Sequence, residues 1–278
     1  MAAILYATGQ HERKVYVMNL DLTDEQKLIQ DTTRDFARVE LEQITASLDP
    51  EKDQASLLAN MKKLAALGCM GINVKEEYGG SEAGVVAFSV AMTEIAKVCA
   101  STAVTVSVNN LVCEVIQAIG TEEQKRKYIP KICSGEYSAG IFGLTENCAD
   151  SSDAFAAAVK DGDHYVLNGS KSITNAPNAG VFVVWAVTDK DVPRSKGISC
   201  FLVESGVPGL TVVKDEHTMG QSLSVTNALM LKNCRIPASA LMGKLNDGLQ
   251  VSVAELAGDR IGIGSLGLRL RQEVATHI

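Results

Sequence analysis

The chain has 278 residues, 46% of them hydrophobic, and a formal net charge of −7. That apolar content fills a substantial core and is more than one ordinary domain needs, so two domains are expected. The acidic balance offers no basic field to a nucleic-acid backbone or an anionic membrane surface, and neither is expected as a partner.

Residues 1–18, MAAILYATGQHERKVYVM, form an N-terminal extension. Its apolar stretch is too short for a signal peptide and lacks transit-peptide character, so a soluble, cytoplasmic protein is expected. From 19 to 137 the pattern is that of a helical domain. Thr23 and Gln26 form a capping box that opens LTDEQKLIQDTTRDFARVEL, with Leu28, Thr32, Phe36 and Val39 expected on one face. A second helix, LLANMKKLAALG, ends on Gly68, whose missing Cβ suits a left-handed cap. Gly79-Gly80 breaks the chain before two largely apolar helices over about 85–119, which belong inside a bundle. The most apolar part of that region carries Asn109, Asn110, Glu114 and Gln117, which favours a buried helix over a membrane span. Gly120-Thr121 then caps EEQKRKYIPKICSG, which Pro130 is expected to interrupt or bend.

Over 138–237 the texture changes to short β-branched runs between turn signals: AGIF, AAAVKDGDHYVLNG with a hairpin at Asp161-Gly162, VFVVWAV, ISCFLVE, LTVV and ALMLKNCRIP. This predicts a compact β-domain, a barrel or sandwich. Pro237 closes it, and 238–278 is helical again and reads as the start of a further helical domain. The expected class is α+β multidomain.

Seven widely spaced cysteines without a C-x-x-C pair read as reduced, buried thiols of an intracellular protein, and four scattered histidines argue against a zinc site. Gly262, Gly264 and Gly267 satisfy the dinucleotide pattern G-x-G-x-x-G. A helical segment precedes them where a strand is required, so close helix packing is the expected role. Asn168-Gly169-Ser170, formally a glycosylation sequon, is expected to be a turn. GLTENCADSSD, residues 143–153, joins an apolar run to the first hairpin. Its small polar residues suit either an ordinary turn or a loop that hydrogen-bonds a planar heterocycle or a pyrophosphate.

Seven phrases in order, LTDEQKLIQDTTRDFAR, MGINVKEEYGG, GTEEQKRKYIPKICSGE, FGLTENCADSSD, DGDHYVLNGSKSITNA, KGISCFLVE and NCRIPASALMG, resemble the acyl-CoA dehydrogenase family. The resemblance runs from residue 19 to about 267, with DRIGIGSLGL closest to the short-chain subclass. It implies FAD held between an N-terminal helical domain, a middle β-domain and a C-terminal helical domain. It also implies an acyl-CoA substrate oxidised at its α,β carbons, electrons passed to an electron-transferring flavoprotein, and a homo-oligomer, commonly a tetramer. By position, Phe142, Leu144 and Thr145 would lie against the isoalloxazine, and Ser151 between flavin and acyl-CoA. Ile173 and Thr174 would lie beside the ring, and Asp259 and Arg260 would face the acyl-CoA.

Departures from the family pattern gather at the cofactor. Asn147 stands at a proline and Asp150 at a glycine, and the loop after Ser151 is short. GSKSITNA lacks the aromatic expected before Ile173, and Gln221 and Ser222 stand where an arginine is common. The resemblance also implies that the chain stops early in the last domain, without the usual catalytic glutamate. Some relatives place a glutamate one residue before an arginine on the first helix of that domain. By that match Asp259 is the base candidate, and its alternative is a solvated or salt-bridged helix carboxylate. An inactive, truncated relative acting as an interaction protein is the other functional reading.

Overall fold

In the computed structural model of the chain, the described residues are 3–4, 16–17, 20–45, 50–145, 156–174, 179–216, 218–221, 223–249 and 260–267. Strands β1 (Ala3–Ile4) and β2 (Tyr16–Val17) pair antiparallel as a two-stranded sheet of their own.

Helix α1 (Asp24–Phe36) opens on the expected capping box. Gln26 N donates to Thr23 Oγ1 at 3.2 Å, and Thr23 N donates to Gln26 Oε1 at 3.0 Å. Its buried face differs from the expected one: Thr33, Phe36, Ala37 and Leu41 are buried, whereas Leu28 and Val39 are 66% and 64% exposed. The stripe runs i, i+3, i+4 and then crosses a π-helical turn at Ala37–Leu41, which adds a residue and rotates the helix beyond it. Short helix α2 (Glu42–Thr45) comes next, then α3 (Pro50–Ala66). Gly68 beyond it has φ 77° and Gly79 φ 88°, the left-handed conformation that glycine adopts without steric cost.

Helices α4 (Gly84–Val98), α5 (Ala100–Ile119) and α6 (Glu122–Cys133) complete this part. Pro130 does not interrupt α6, which runs on to Cys133. The carbonyl left without its helical donor belongs to Arg126, an exposed residue that solvent reaches. α5 is long and apolar enough to cross a membrane by composition, yet 67% of its most apolar window is buried within the fold. The two asparagines at its centre are fully buried and bonded. Asn110 Oδ1 accepts from Ile72 N at 2.7 Å while its Nδ2 donates to Cys69 O at 2.9 Å.

The remaining strands are β3 (Ala139–Gly143), β4 (Ala157–Asp161), β5 (His164–Thr174), β6 (Ala179–Val187), β7 (Ile198–Glu204), β8 (Leu210–Glu216), β9 (Thr226–Pro237) and β10 (Leu241–Met242). They form one eight-stranded sheet in the order β10-β7-β6-β4-β5-β9-β8, with β3 pairing β6. The sheet is mixed, since β3 and β4 run parallel to β6 and every other pair is antiparallel. The hairpin β4–β5 turns through Gly162 at φ 61°, as the Asp161-Gly162 signal predicts. Asn168-Gly169-Ser170 is not a turn. It lies inside β5, where the pairing with β9 shifts between Leu167 and Gly169. Gly169 has φ 145°, and a Cβ there would lie 2.5 Å from the Ala156 backbone, so the glycine marks a β-bulge under close backbone approach.

Three clusters of buried apolar residues hold the described residues together. One lies among the helices around Leu64, Phe88, Met92 and Val106, and one inside the sheet around Leu167, Phe182, Phe201 and Leu229. The third joins α5 and α6 to the outer face of β6 and β7 through Val112, Ile132, Val183 and Trp185. α5 contributes to the first and third, so one helix is common to both. The final described helix, α7 (260–267), packs on α4: a Cβ at Gly262 would stand 2.6 Å from Phe88, and Ser265 Oγ meets Ser89 Oγ at 2.6 Å. Gly262 of the G-x-G-x-x-G pattern thus serves close helix contact, as expected, whereas a Cβ at Gly264 or Gly267 would meet open space, so those two do not.

Candidate functional site

β3 and β5 bring the two sequence-predicted cofactor segments to the same end of the sheet. On β3, Gly140 faces α5, where a Cβ would lie 2.8 Å from Val112. Phe142 and Leu144 come next on the same side by strand periodicity. Both are half-buried, and the Phe142 ring centroid is 4.4 Å from that of Trp185. Thr145 is exposed, but its carbonyl accepts from Ser172 N at 3.0 Å. Thr174 lies two residues further along β5, about 6.6 Å at strand rise.

From Gly169 to Thr174, β5 pairs with Leu231 to Thr226 of β9 in uninterrupted register. Lys171 and Ile173 therefore share the interior face with Leu229 and Leu231. Ile173 is 3% exposed and belongs to the cluster inside the sheet, so of the Ile173-Thr174 pair it is Thr174 that reaches a cavity. That facing follows from the strand alternation fixed by the β5–β9 register. With no bulge downstream of Gly169, the alternation runs unbroken, so Lys171 and Ile173 face inward and Thr174 does not.

The cavity has a volume of about 300 Å³ and is lined by Val104, Thr174, Thr218, Gln221, Ser224 and Thr226, together with Gly220. Four hydroxyls and one amide dominate its described wall, and no charged side chain is among them. Gln221 sits at φ 57°, a left-handed conformation uncommon outside glycine, and its carbonyl accepts from Ser224 N at 2.9 Å. This donor set suits a neutral heterocycle with carbonyl and ring-nitrogen edges better than a pyrophosphate, which would call for cations or a nest of backbone N–H groups. A flavin ring edge fits those groups.

Leu223 of the same loop and Leu266 of α7 both join the helical cluster. A Cβ at Gly262 would also meet Ser107 Oγ at 2.9 Å, and Ser107 is one helical turn from Val104 in the cavity wall. Arg260, two residues before Gly262, is exposed. Ser151 and Asp259 lie outside the described residues, as do Asn147, Asp150 and Ser222.

Sequence reasoning passes over two residues that organise this region. Asn109, visible in the sequence only as a polar residue in an apolar helix, accepts from Gly140 N at 2.7 Å and so ties α5 to the start of β3. Lys171, 1% exposed, donates to the Leu144 carbonyl at 3.3 Å. A polar residue at an apolar period is the available signal in both cases.

A larger cavity of about 750 Å³ lies between the start of α6 and the ends of β7 and β9, and contains none of the predicted site residues. Two of its charged groups pair with each other. Glu204 accepts from Lys127 at 2.6 Å and from Tyr128 Oη at 2.8 Å, which holds its carboxyl below the ordinary range, while the same pairing pushes Lys127 up to about 12. Burial pushes Cys69 up to about 12 and raises Cys113 and Cys200 well above the ordinary value, which disfavours thiol chemistry at those three. Among the described residues there is no group of His, Cys, Asp and Glu that could hold a metal ion.

The family model of the acyl-CoA dehydrogenase N-terminal domain matches residues 23–136, and that of the middle domain matches 142–234. A short-chain specific acyl-CoA dehydrogenase of Clostridium acetobutylicum is 38% identical over 259 residues, which are 92% of this chain and 67% of the relative. Butyryl-CoA dehydrogenase from Megasphaera elsdenii superposes with a TM-score of 0.84 at 32% identity, covering 92% of this chain and 68% of that one. An acyl-CoA dehydrogenase from Bacillus anthracis, complexed with FAD, gives 0.79 at 30% identity, covering 88% and 42%. The chain spans 62% of the length of the short-chain specific acyl-CoA dehydrogenase of Bos taurus and 68% of that of an acyl-CoA dehydrogenase of Bacillus subtilis.

Proposed function

The chain belongs to the acyl-CoA dehydrogenase family, and from that premise we propose that it binds FAD and oxidises a short-chain acyl-CoA at its α,β carbons, with electrons passing to an electron-transferring flavoprotein. The observation that carries this reading is that the Thr145 carbonyl is held by Ser172 N, two residues before Thr174, which lines a cavity walled by hydroxyls. The short-chain assignment draws on the C. acetobutylicum and M. elsdenii relatives. A homo-oligomer, tetrameric on the family's pattern, belongs to the same proposal.

When bound, FAD supplies the acceptor for the hydride that leaves the β-carbon. The chain's own residues do the rest. Thr174, Ser224 and Thr226 offer hydroxyls to the polar edge of the ring, and Thr145 approaches from the neighbouring strand. Phe142 and Leu144 give the apolar backing that keeps water from the reacting carbons. By their match to the family pattern, Ser151 would lie between ring and thioester and Arg260 would face the acyl-CoA. Asp259 takes the α-proton, one methylene shorter than a glutamate and correspondingly more sensitive to substrate placement.

A second reading, an inactive relative that acts through association, is favoured by Asn147, Asp150 and the interior facing of Ile173. One preparation separates the two. Purified chain incubated with excess FAD and desalted is expected to stay yellow and to bleach with butyryl-CoA. A colourless protein overturns the flavin assignment, and a yellow one that never bleaches with acyl-CoAs of any length supports the second reading.

A further inference from the structure

Lys171 is among the largest fully buried side chains of the chain. Its register partner is Leu229, and its neighbours on the interior face of β5 and β9 are Gly169, Ile173, Leu231 and Asn227. An ammonium group in such a place is strongly desolvated, whereas methionine would fill the same volume without that penalty. A lysine buried at this depth calls for a structural reason.

What the ammonium reaches does give one. Its Nζ donates to the carbonyl of Leu144 at 3.3 Å, and Leu144 is the first residue past the end of β3. The next residue of β5, Ser172, donates its backbone N–H to the next carbonyl, Thr145, at 3.0 Å. Two consecutive residues of one strand therefore hold two consecutive carbonyls at the point where β3 leaves the sheet. Removing the side-chain bond frees one of the two and lets the segment pivot on the other.

The geometry points to Lys171 as a positioning residue: its buried ammonium fixes Leu144-Thr145 in place before any ligand arrives, so that this rim is preformed. The consequence for FAD rests on the function proposed above, whereas the ordering of the segment does not. A preformed rim binds more tightly because the ligand does not have to order it.

The test is Lys171→Met, compared with wild type by backbone hydrogen exchange in the absence of flavin and by flavin-fluorescence titration in its presence. Exchange in the peptide covering 142–145 is expected to quicken about tenfold, the equivalent of one net hydrogen bond, while the β9 peptide over 226–237 is unchanged. Lys171→Gln, which keeps a donor on a shorter stem, is expected to fall between the two. FAD affinity is expected to drop by a similar factor in Lys171→Met. Unchanged exchange over 142–145 overturns the proposal even if FAD binds normally, and so does global unfolding of both variants, which would make Lys171 a general core residue. If exchange responds but wild type takes up no FAD, the flavin reading fails and the positioning role stands.

Discussion

Replacing Thr174 by valine keeps the side-chain volume and strips one hydroxyl from the cavity wall. FAD affinity is expected to fall about 3–10-fold, the range of one net hydrogen bond, in an equilibrium fluorescence titration; an unchanged affinity would remove Thr174 from the site. Asp259→Asn is expected to abolish acyl-CoA bleaching while bound flavin stays at the wild-type level, measured by absorbance after desalting. A further residue-scale prediction concerns Glu94, whose buried carboxylate accepts from Arg34 at 3.3 Å and from Lys97 at 2.5 Å. Burial alone would raise its pKa, but the hydrogen bonds from Lys97 and Arg34 outweigh it and the net shift is downward. In the folded state the proton is therefore bound less readily than in the unfolded chain. Glu94 accordingly stabilises the fold above its unfolded value of about 4.3, and loses that contribution as pH falls through the depressed folded value. Thermal melts of wild type and Glu94→Gln are expected to differ most near neutral pH and to converge below about pH 4. Residues that obey a local rule, such as Thr23 at its cap, are legible in the sequence. Glu94 and Lys171 are not, because a charged side chain in a helix or strand pattern is ordinarily read as surface.

Elements are legible where their signals are local. The capping box of α1, the matching one of α6 between Thr121 and Gln124, Gly68 at its left-handed end and the Gly162 hairpin all depend on a few adjacent residues. Two departures from expectation fall where a regular element carries one extra residue: Val39 in a π-turn and Asn168-Gly169-Ser170 at a β-bulge. Leu28 precedes the π-turn and is exposed because the buried stripe of α1 runs through Ile29, Thr33 and Phe36 instead. Gly169→Ala tests the bulge. A Cβ pressed onto the Ala156 backbone at unfavourable φ is expected to cost about 2–4 kcal/mol in urea unfolding. Thr23→Ala, by contrast, removes a single exposed cap and is expected to cost only about 1 kcal/mol in the same assay.

At the scale of the molecule, α5 belongs to both the helical cluster and the cluster against the sheet, and Asn109 links it to the first residues of β3. Asn109→Ala leaves Gly140 N–H buried without that acceptor, and is expected to lower stability by about 1–3 kcal/mol in the same unfolding assay. The helix-then-strand order is visible because phrases of the family run along most of the chain. The cavity is not, because Val104, Thr174 and Gln221 come from three separate stretches and meet only through folding. Along β5, chain length counts by parity. Between Gly169 and Thr174 the pairing has no slack, so an odd insertion exchanges the inner and outer sets of side chains and an even one restores them. Inserting one aromatic residue between Ser172 and Ile173 would turn isoleucine outward and give the interior position to the newcomer, whereas substituting Ile173 by tryptophan would leave every other residue facing as it does now. Any change of strand length here is therefore felt at every position as far as the next irregularity in the pairing.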